Sequence, residues 1–130
     1  MLVVDASVLV VALADDGADG DRARQRLKGE ELAAPELVDL EVASVLRKQL
    51  TVGSLDARRA QLSLADLADL AIHRAPHLPL LARCWELREN LTIYDAAYVA
   101  LAEVLEASLL TADTRMARAP GPRCGIEVLH

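Results

Sequence analysis

The sequence predicts an α/β fold, with a central parallel sheet of four to five strands flanked by helices on both faces. Two observations carry this. Short apolar runs alternate with longer stretches of helical periodicity, the pattern of strand–helix–strand units. The apolar mass is almost wholly Leu, Ala and Val; there is no Phe, and the aromatics are Trp85, Tyr94 and Tyr98. Such side chains suit helices packed on a buried sheet better than an aromatic-rich sandwich.

Taken in order, residues 2–5 read as a buried strand that runs straight into a helix over about 7–14. "DDGADGD" (15–21) is a polar loop, followed by a polar helix at about 21–28. "LAAP" (32–35) has a short strand's length, and its Pro35 suits the first turn of the next helix. The stretch 36–50 is strongly helical. Gly53-Ser54 ends it, and Ser54 can cap an amphipathic helix over about 55–71. "IHRAPH" (72–77) is ambiguous and fits a short edge segment. A helix covers about 79–89, and an apolar helix lies within 92–107. "SLLTAD" (108–113) reads as a buried strand entering a short helix, and "GIEVLH" (125–130) as a closing strand. No repeat, linker or low-complexity tract divides the chain, so residues 1–130 are expected to form one domain.

Composition excludes several classes. No apolar run reaches the ~18 residues of a membrane span. The N-terminus lacks a signal peptide's basic region and cleavage pattern. Cys84 and Cys124 stand alone, which suggests neither a zinc site nor a disulfide framework. A cytoplasmic, membrane-free protein is expected. The net charge of −6 argues against broad, nonspecific nucleic-acid binding. It leaves room for a nuclease, because acids gathered at one metal site lower the net charge without describing the rest of the surface.

In a parallel sheet, ligands bind outside the carboxyl ends of the strands. Asp5 ends the first strand and Asp113 the "SLLTAD" strand, so both fall on that edge. Asp95 opens an apolar helix whose start faces the same way. Glu41 sits about two turns into its helix, among Leu40, Val42 and Ala43, with Asp39 as a rival for its place. Any one Asp at a strand-to-helix junction is a good helix cap. Four acids on one edge are different: carboxylates ~4 Å apart repel by about 4 kcal/mol per pair at an effective dielectric near 20, in a domain stable by about 5–15 kcal/mol. A hard divalent cation offsets this, and an all-carboxylate site selects Mg²⁺ or Mn²⁺ over zinc.

Other candidates fall away. "DDGADGD" resembles a calcium loop, but the EF-hand pattern started at Asp15 puts Arg26 where Glu is needed. His73, His77 and His130 have no metal-ligand spacing. Cys84 and Trp85 read as core filler. Arg47 and Arg115 lie closest in sequence to the acids and are candidates for phosphate contacts.

"VVDASVLV", "APELVDLEVASVLRK", "LTIYDAAYVALAE" and "LLTADTRM" resemble, in order and spacing, the motifs of the PIN-domain family, and most closely the VapC-type toxins of bacterial toxin–antitoxin pairs. The resemblance implies a PIN-like (Rossmann-like) fold and a metal-dependent endoribonuclease. It carries the acidic site onto Asp5, Glu41, Asp95 and Asp113, and matches Ser7 and Thr111 to hydroxyls that orient a carboxylate or a metal-bound water. It also implies a 5′-phosphate product, a homodimer and a cognate VapB-type antitoxin; the helices around 7–14 and 36–50 could supply the antitoxin's groove. Thr114 to Ala117 hold no acid, unlike some members, which speaks against a second tightly held metal. Three other readings compete. A haloacid-dehalogenase-like phosphatase needs a second Asp where Ser7 stands. A receiver domain needs a late Lys, and the C-terminal half has none. A catalytically degenerate PIN-fold binding module is the third.

Overall fold

The computed structural model describes residues 1–130. In chain order the elements are β1 (Leu2–Val4), α1 (Ala6–Ala14), α2 (Ala18–Leu27), β2 (Leu32–Pro35), α3 (Val38–Thr51) and α4 (Ala57–Asp69). There follow β3 (Ile72–Ala75), a 3₁₀ turn (Leu78–Leu80), α5 (Leu81–Glu86), α6 (Ile93–Leu105), β4 (Ser108–Thr111), α7 (Thr114–Arg118) and β5 (Ile126–Val128). All five strands pair in parallel, in the order β3-β2-β1-β4-β5. The expected α/β architecture is present, with the ambiguous 72–77 segment supplying edge strand β3.

β1 is central, and its three residues are all buried. From β1 the chain builds outward through β2 and β3, then returns to place β4 on β1's other side. Strand order therefore reverses between β1 and β4, the place where such sheets open a crevice at their carboxyl ends. Helix α6 is buried along Ala96–Ala102 and touches β1, β2 and β4. Small residues such as Ala96, Ala97, Ala100 and Ala102 let this helix lie close on the sheet.

Several boundaries differ from the sequence reading, each for a local reason. The Asp15 carboxylate accepts the Gly17 N–H at 2.6 Å, so the polar loop closes early and α2 starts at Ala18. Asp19 and Asp21 then lie in its first turn, favourably placed against the helix dipole. Gly20 is required there: a Cβ would stand 1.8 Å from the Asp15 carbonyl oxygen. Pro35 ends β2 and does not enter the first turn of α3, which begins at Val38. Asp56, not Ser54, caps α4 by accepting the Arg59 N–H at 2.7 Å; the Ser54 hydroxyl donates back to the Gln49 carbonyl. The helix expected over 79–89 is a 3₁₀ turn followed by the six-residue α5. Trp85 is not core filler: it is 61% exposed, with the Arg88 guanidinium 4.6 Å above its ring, while Cys84 is buried as expected. A hollow of about 1130 Å³ is bounded by α1, α2 and α4, and α1 and α3 pack against each other.

The apolar stripe of α3 is carried by Val38, Val42 and Leu46, all buried, while Leu40 is 77% exposed. Leu46→Ala is expected to lower stability by about 2–5 kcal/mol and Leu40→Ala by about 0.5 kcal/mol or less, both read from urea unfolding midpoints.

Candidate active site

Asp5 follows β1 directly and caps α1. Its Oδ1 accepts the Ser7 N–H at 3.1 Å, the Val8 N–H at 3.4 Å and the Ser7 hydroxyl. Its Oδ2 accepts the Thr111 hydroxyl at 2.5 Å. Both hydroxyls donate, because an ionised carboxylate only accepts. The Ser7 hydroxyl oxygen accepts the Ala112 N–H at 3.0 Å, and the Thr111 hydroxyl oxygen accepts the Asp113 N–H at 3.0 Å. Each hydroxyl oxygen thus accepts a backbone N–H from just beyond β4 while its O–H donates to Asp5. Asp5 is 5% exposed and Thr111 fully buried, so the bond between them forms away from water.

The other three acids reach the same recess from separate elements. Asp113 follows β4 and caps α7 by accepting the Arg115 N–H at 2.9 Å. Asp95 lies in the first turn of α6, capped by Thr92. Glu41 extends from α3. Together the four acids line a hollow of about 270 Å³ beside Ser7, Ser44 and Tyr98. Asp39 does not join them: both its carboxylate oxygens accept from Arg74 Nε, at 2.8 and 3.0 Å. Arg47 is exposed further along α3 and away from the acids. Arg115 forks onto Asp113, with Nε and Nη2 donating at 3.2 and 3.0 Å.

Sequence reasoning missed Tyr98. It is 1% exposed, and its hydroxyl donates to Glu41 Oε1 at 2.5 Å. The signal was present: Tyr98 stands three residues after Asp95 on α6, the spacing that puts two side chains on one helix face.

The electrostatics follow from burial and crowding. Burial pushes the Asp5 carboxyl above its ordinary range against the bonds from Ser7, Thr111 and the Val8 N–H, and the charge of Asp95 adds to the rise. Burial likewise raises Glu41, opposed by Tyr98 and reinforced by Asp95 and Asp5. Asp95 is raised by burial and by the charge of Asp113. Asp113 alone is lowered, chiefly by its bonds from Arg115. Tyr98 is pushed far up, by burial and by its bond to Glu41, and stays protonated as a donor.

As the side chains stand, no three of them converge on one point to grip an ion. Asp5, Glu41 and Asp113 are each engaged by protein donors. The chemistry of the donor set still fits a hard divalent cation: the acidic groups are all carboxylates, no His or Cys lines the hollow, and three of the four are held against their neighbours' charge.

The PIN domain family profile matches residues 2–122. Ribonuclease VapC9 of Mycobacterium tuberculosis is 45% identical over 132 residues, covering 99% of this chain and 98% of that protein. Ribonuclease VapC1 of the same organism is 43% identical over 129 residues, covering 98% and 97%. A solved structure from Pyrobaculum aerophilum superposes with a TM-score of 0.70 at 27% identity, over 98% of this chain and 83% of that one. The toxin–antitoxin complex from Klebsiella pneumoniae shares the fold, with a TM-score of 0.72 at 18% identity over 100% and 98% of the two chains.

Two predictions follow from the geometry. Thr111→Val keeps the shape but removes the bond to Asp5 and the acceptor for the Asp113 N–H; thermal unfolding should show a loss of about 1–3 kcal/mol. The second concerns charge. Because the native Asp95 carboxyl binds its proton more tightly than in the unfolded chain, its ionisation opposes folding. Asp95→Asn should therefore raise the melting temperature of the metal-free protein by a few degrees near neutral pH. The gain should shrink as pH falls through the raised native value and vanish below the unfolded value near 3.8.

Family profile, full-length identity and superposition agree: this chain belongs to the PIN-domain family, as a VapC-type member.

Proposed function

We propose that this chain is the toxin of a toxin–antitoxin pair, a Mg²⁺- or Mn²⁺-dependent endoribonuclease that hydrolyses RNA phosphodiester bonds at the recess of Asp5, Glu41, Asp95 and Asp113. One observation carries the reading. Asp5 and Asp113 end adjoining parallel strands at the point where strand order reverses, and Glu41 and Asp95 border the same hollow. The ribonuclease names of relatives over 40% identical across nearly the whole chain support RNA as the substrate.

Each residue then has a part. Asp5 and Asp113 would be the central ligands of the ion, and Asp95 and Glu41 would help to hold it. A divalent ion bound by these residues would supply Lewis acidity, acidifying a water and offsetting charge on the scissile phosphate. Ser7 and Thr111 keep Asp5 facing the hollow, and Tyr98 does the same for Glu41. Glu41, whose proton affinity burial increases, is placed to take the proton from the attacking water. Attack by water that breaks the bond from phosphorus to the 3′ oxygen leaves a 5′-phosphate on one fragment and a 3′-hydroxyl on the other.

The partner is a VapB-type antitoxin. This is supported by likeness of fold to toxins solved in complexes such as VapBC2 of Rickettsia felis, with a TM-score of 0.71 at 16% identity. A homodimer in the cytoplasm completes the proposal; no helix is long and apolar enough to cross a membrane.

Cleavage of a structured RNA with Mg²⁺ or Mn²⁺ tests the reading. Asp5→Asn should cut slower by on the order of 100-fold or more, and a chelator should stop wild-type cleavage. Equal cleavage by variant and wild type overturns it. RNA bound but left uncut by wild type favours the degenerate binding module instead.

A further inference from the structure

We propose that Arg115 competes with a divalent cation for Asp113, and that this rivalry sets the concentration of free ion at which the acid recess loads. The inference rests on the metal site proposed above and gives Arg115 the part of a detachable counter-ion.

No cation lines the recess itself. Asp5 and Glu41 are held by the neutral hydroxyls of Ser7, Thr111 and Tyr98, which bring no positive charge to the acids. Asp113 is gripped by a charged side chain instead. Arg115 stands in an adjoining hollow of about 180 Å³ whose walls include Asp95 and Asp113, and it is the one cation lining either hollow.

The grip leaves little of Asp113 for an ion. A carboxylate accepts in about four directions, two on each oxygen. Oδ1 takes the Arg115 backbone N–H at 2.9 Å and Nε at 3.2 Å, and Oδ2 takes Nη2 at 3.0 Å. One direction remains, on Oδ2, and a cation placed there would lie beside a full positive charge. Withdrawing the guanidinium opens Oδ1, opens a second direction on Oδ2 and ends that repulsion.

The same geometry lets the side chain leave without disturbing the ligand. Arg115 is 88% exposed along its side chain, and its guanidinium has no partner besides Asp113. A pair so exposed is weakly held, because water takes over its hydrogen bonds readily. The Arg115 backbone N–H is a separate contact: it belongs to the cap of α7 and does not depend on where the guanidinium lies. Asp113 therefore keeps its orientation in both arrangements. Arg83 shows the contrast. It is 20% exposed and tied to Glu103 and to the Gly121 carbonyl, an anchored arginine with no such freedom.

Calorimetric titration of Mn²⁺ into the chelator-stripped full chain tests the rivalry. Arg115→Ala should bind Mn²⁺ about two- to fivefold more tightly than wild type, and Mn²⁺ should raise its melting temperature by more. In an Asp113→Asn background the same substitution should bring no gain, because the contest is for that carboxylate. Arg118→Ala removes an exposed cation without an ion pair from the same helix and should bind as wild type does. Weaker binding by Arg115→Ala, an equal gain for Arg118→Ala, or a gain that persists in the Asp113→Asn background overturns the proposal. Equal binding by wild type and Arg115→Ala removes the rivalry and leaves the metal site standing. Mn²⁺ that binds neither overturns the metal site, and the rivalry with it.

Discussion

The site depends on how a buried carboxylate is kept in place. Asp5 sits at a helix start with little water around it, and two hydroxyls from different parts of the chain donate to it. The same hydroxyl oxygens accept backbone N–H groups from just beyond β4. Ser7 and Thr111 therefore tie the β1–α1 junction to the β4–α7 junction. The relative position of Asp5 and Asp113 is thereby fixed by main-chain geometry, as the proposed metal site would require of its ligands.

This arrangement works against stability. Asp5, Glu41 and Asp95 are all held where ionisation is disfavoured by burial and by one another. Arg115 relieves only Asp113, from an exposed position. A domain with a stability of about 5–15 kcal/mol tolerates such a cluster because the sheet beneath is well packed. Val3, Val4, Leu109 and Leu110 are fully buried under α6 and its neighbours. Concentrating unfavourable charge at a functional site while the core supplies the stability is a common balance in enzymes.

Much of the fold was legible in the sequence, because strand–helix alternation and the lack of large aromatics both point to a covered parallel sheet. The acids at strand ends were legible for the same reason, since the topology rule places them on one edge. The remainder depended on contacts distant in sequence. Asp39 and Glu41 looked equivalent until Arg74, 35 residues downstream, proved to hold Asp39. The role of Tyr98 required knowing that α6 lies across from α3, 57 residues earlier. Trp85 was misplaced because an apolar residue type was taken for a buried one, and the 3₁₀ turn at Leu78–Leu80 changes the facing of the short helix that follows. The Ser54 cap lost to Asp56, a stronger acceptor two residues nearer the helix.

In the proposed site, carboxylates from four elements act together on one metal ion. Direct titration of Mn²⁺ into the protein, followed by the loss of the free ion's electron paramagnetic resonance signal, tests it without reference to any RNA. The account predicts one site per chain in the wild type, weakened at least about tenfold by Asp5→Asn or Asp113→Asn and unaffected by Asp39→Asn. Equal Mn²⁺ binding by wild type, Asp5→Asn and Asp113→Asn would contradict it.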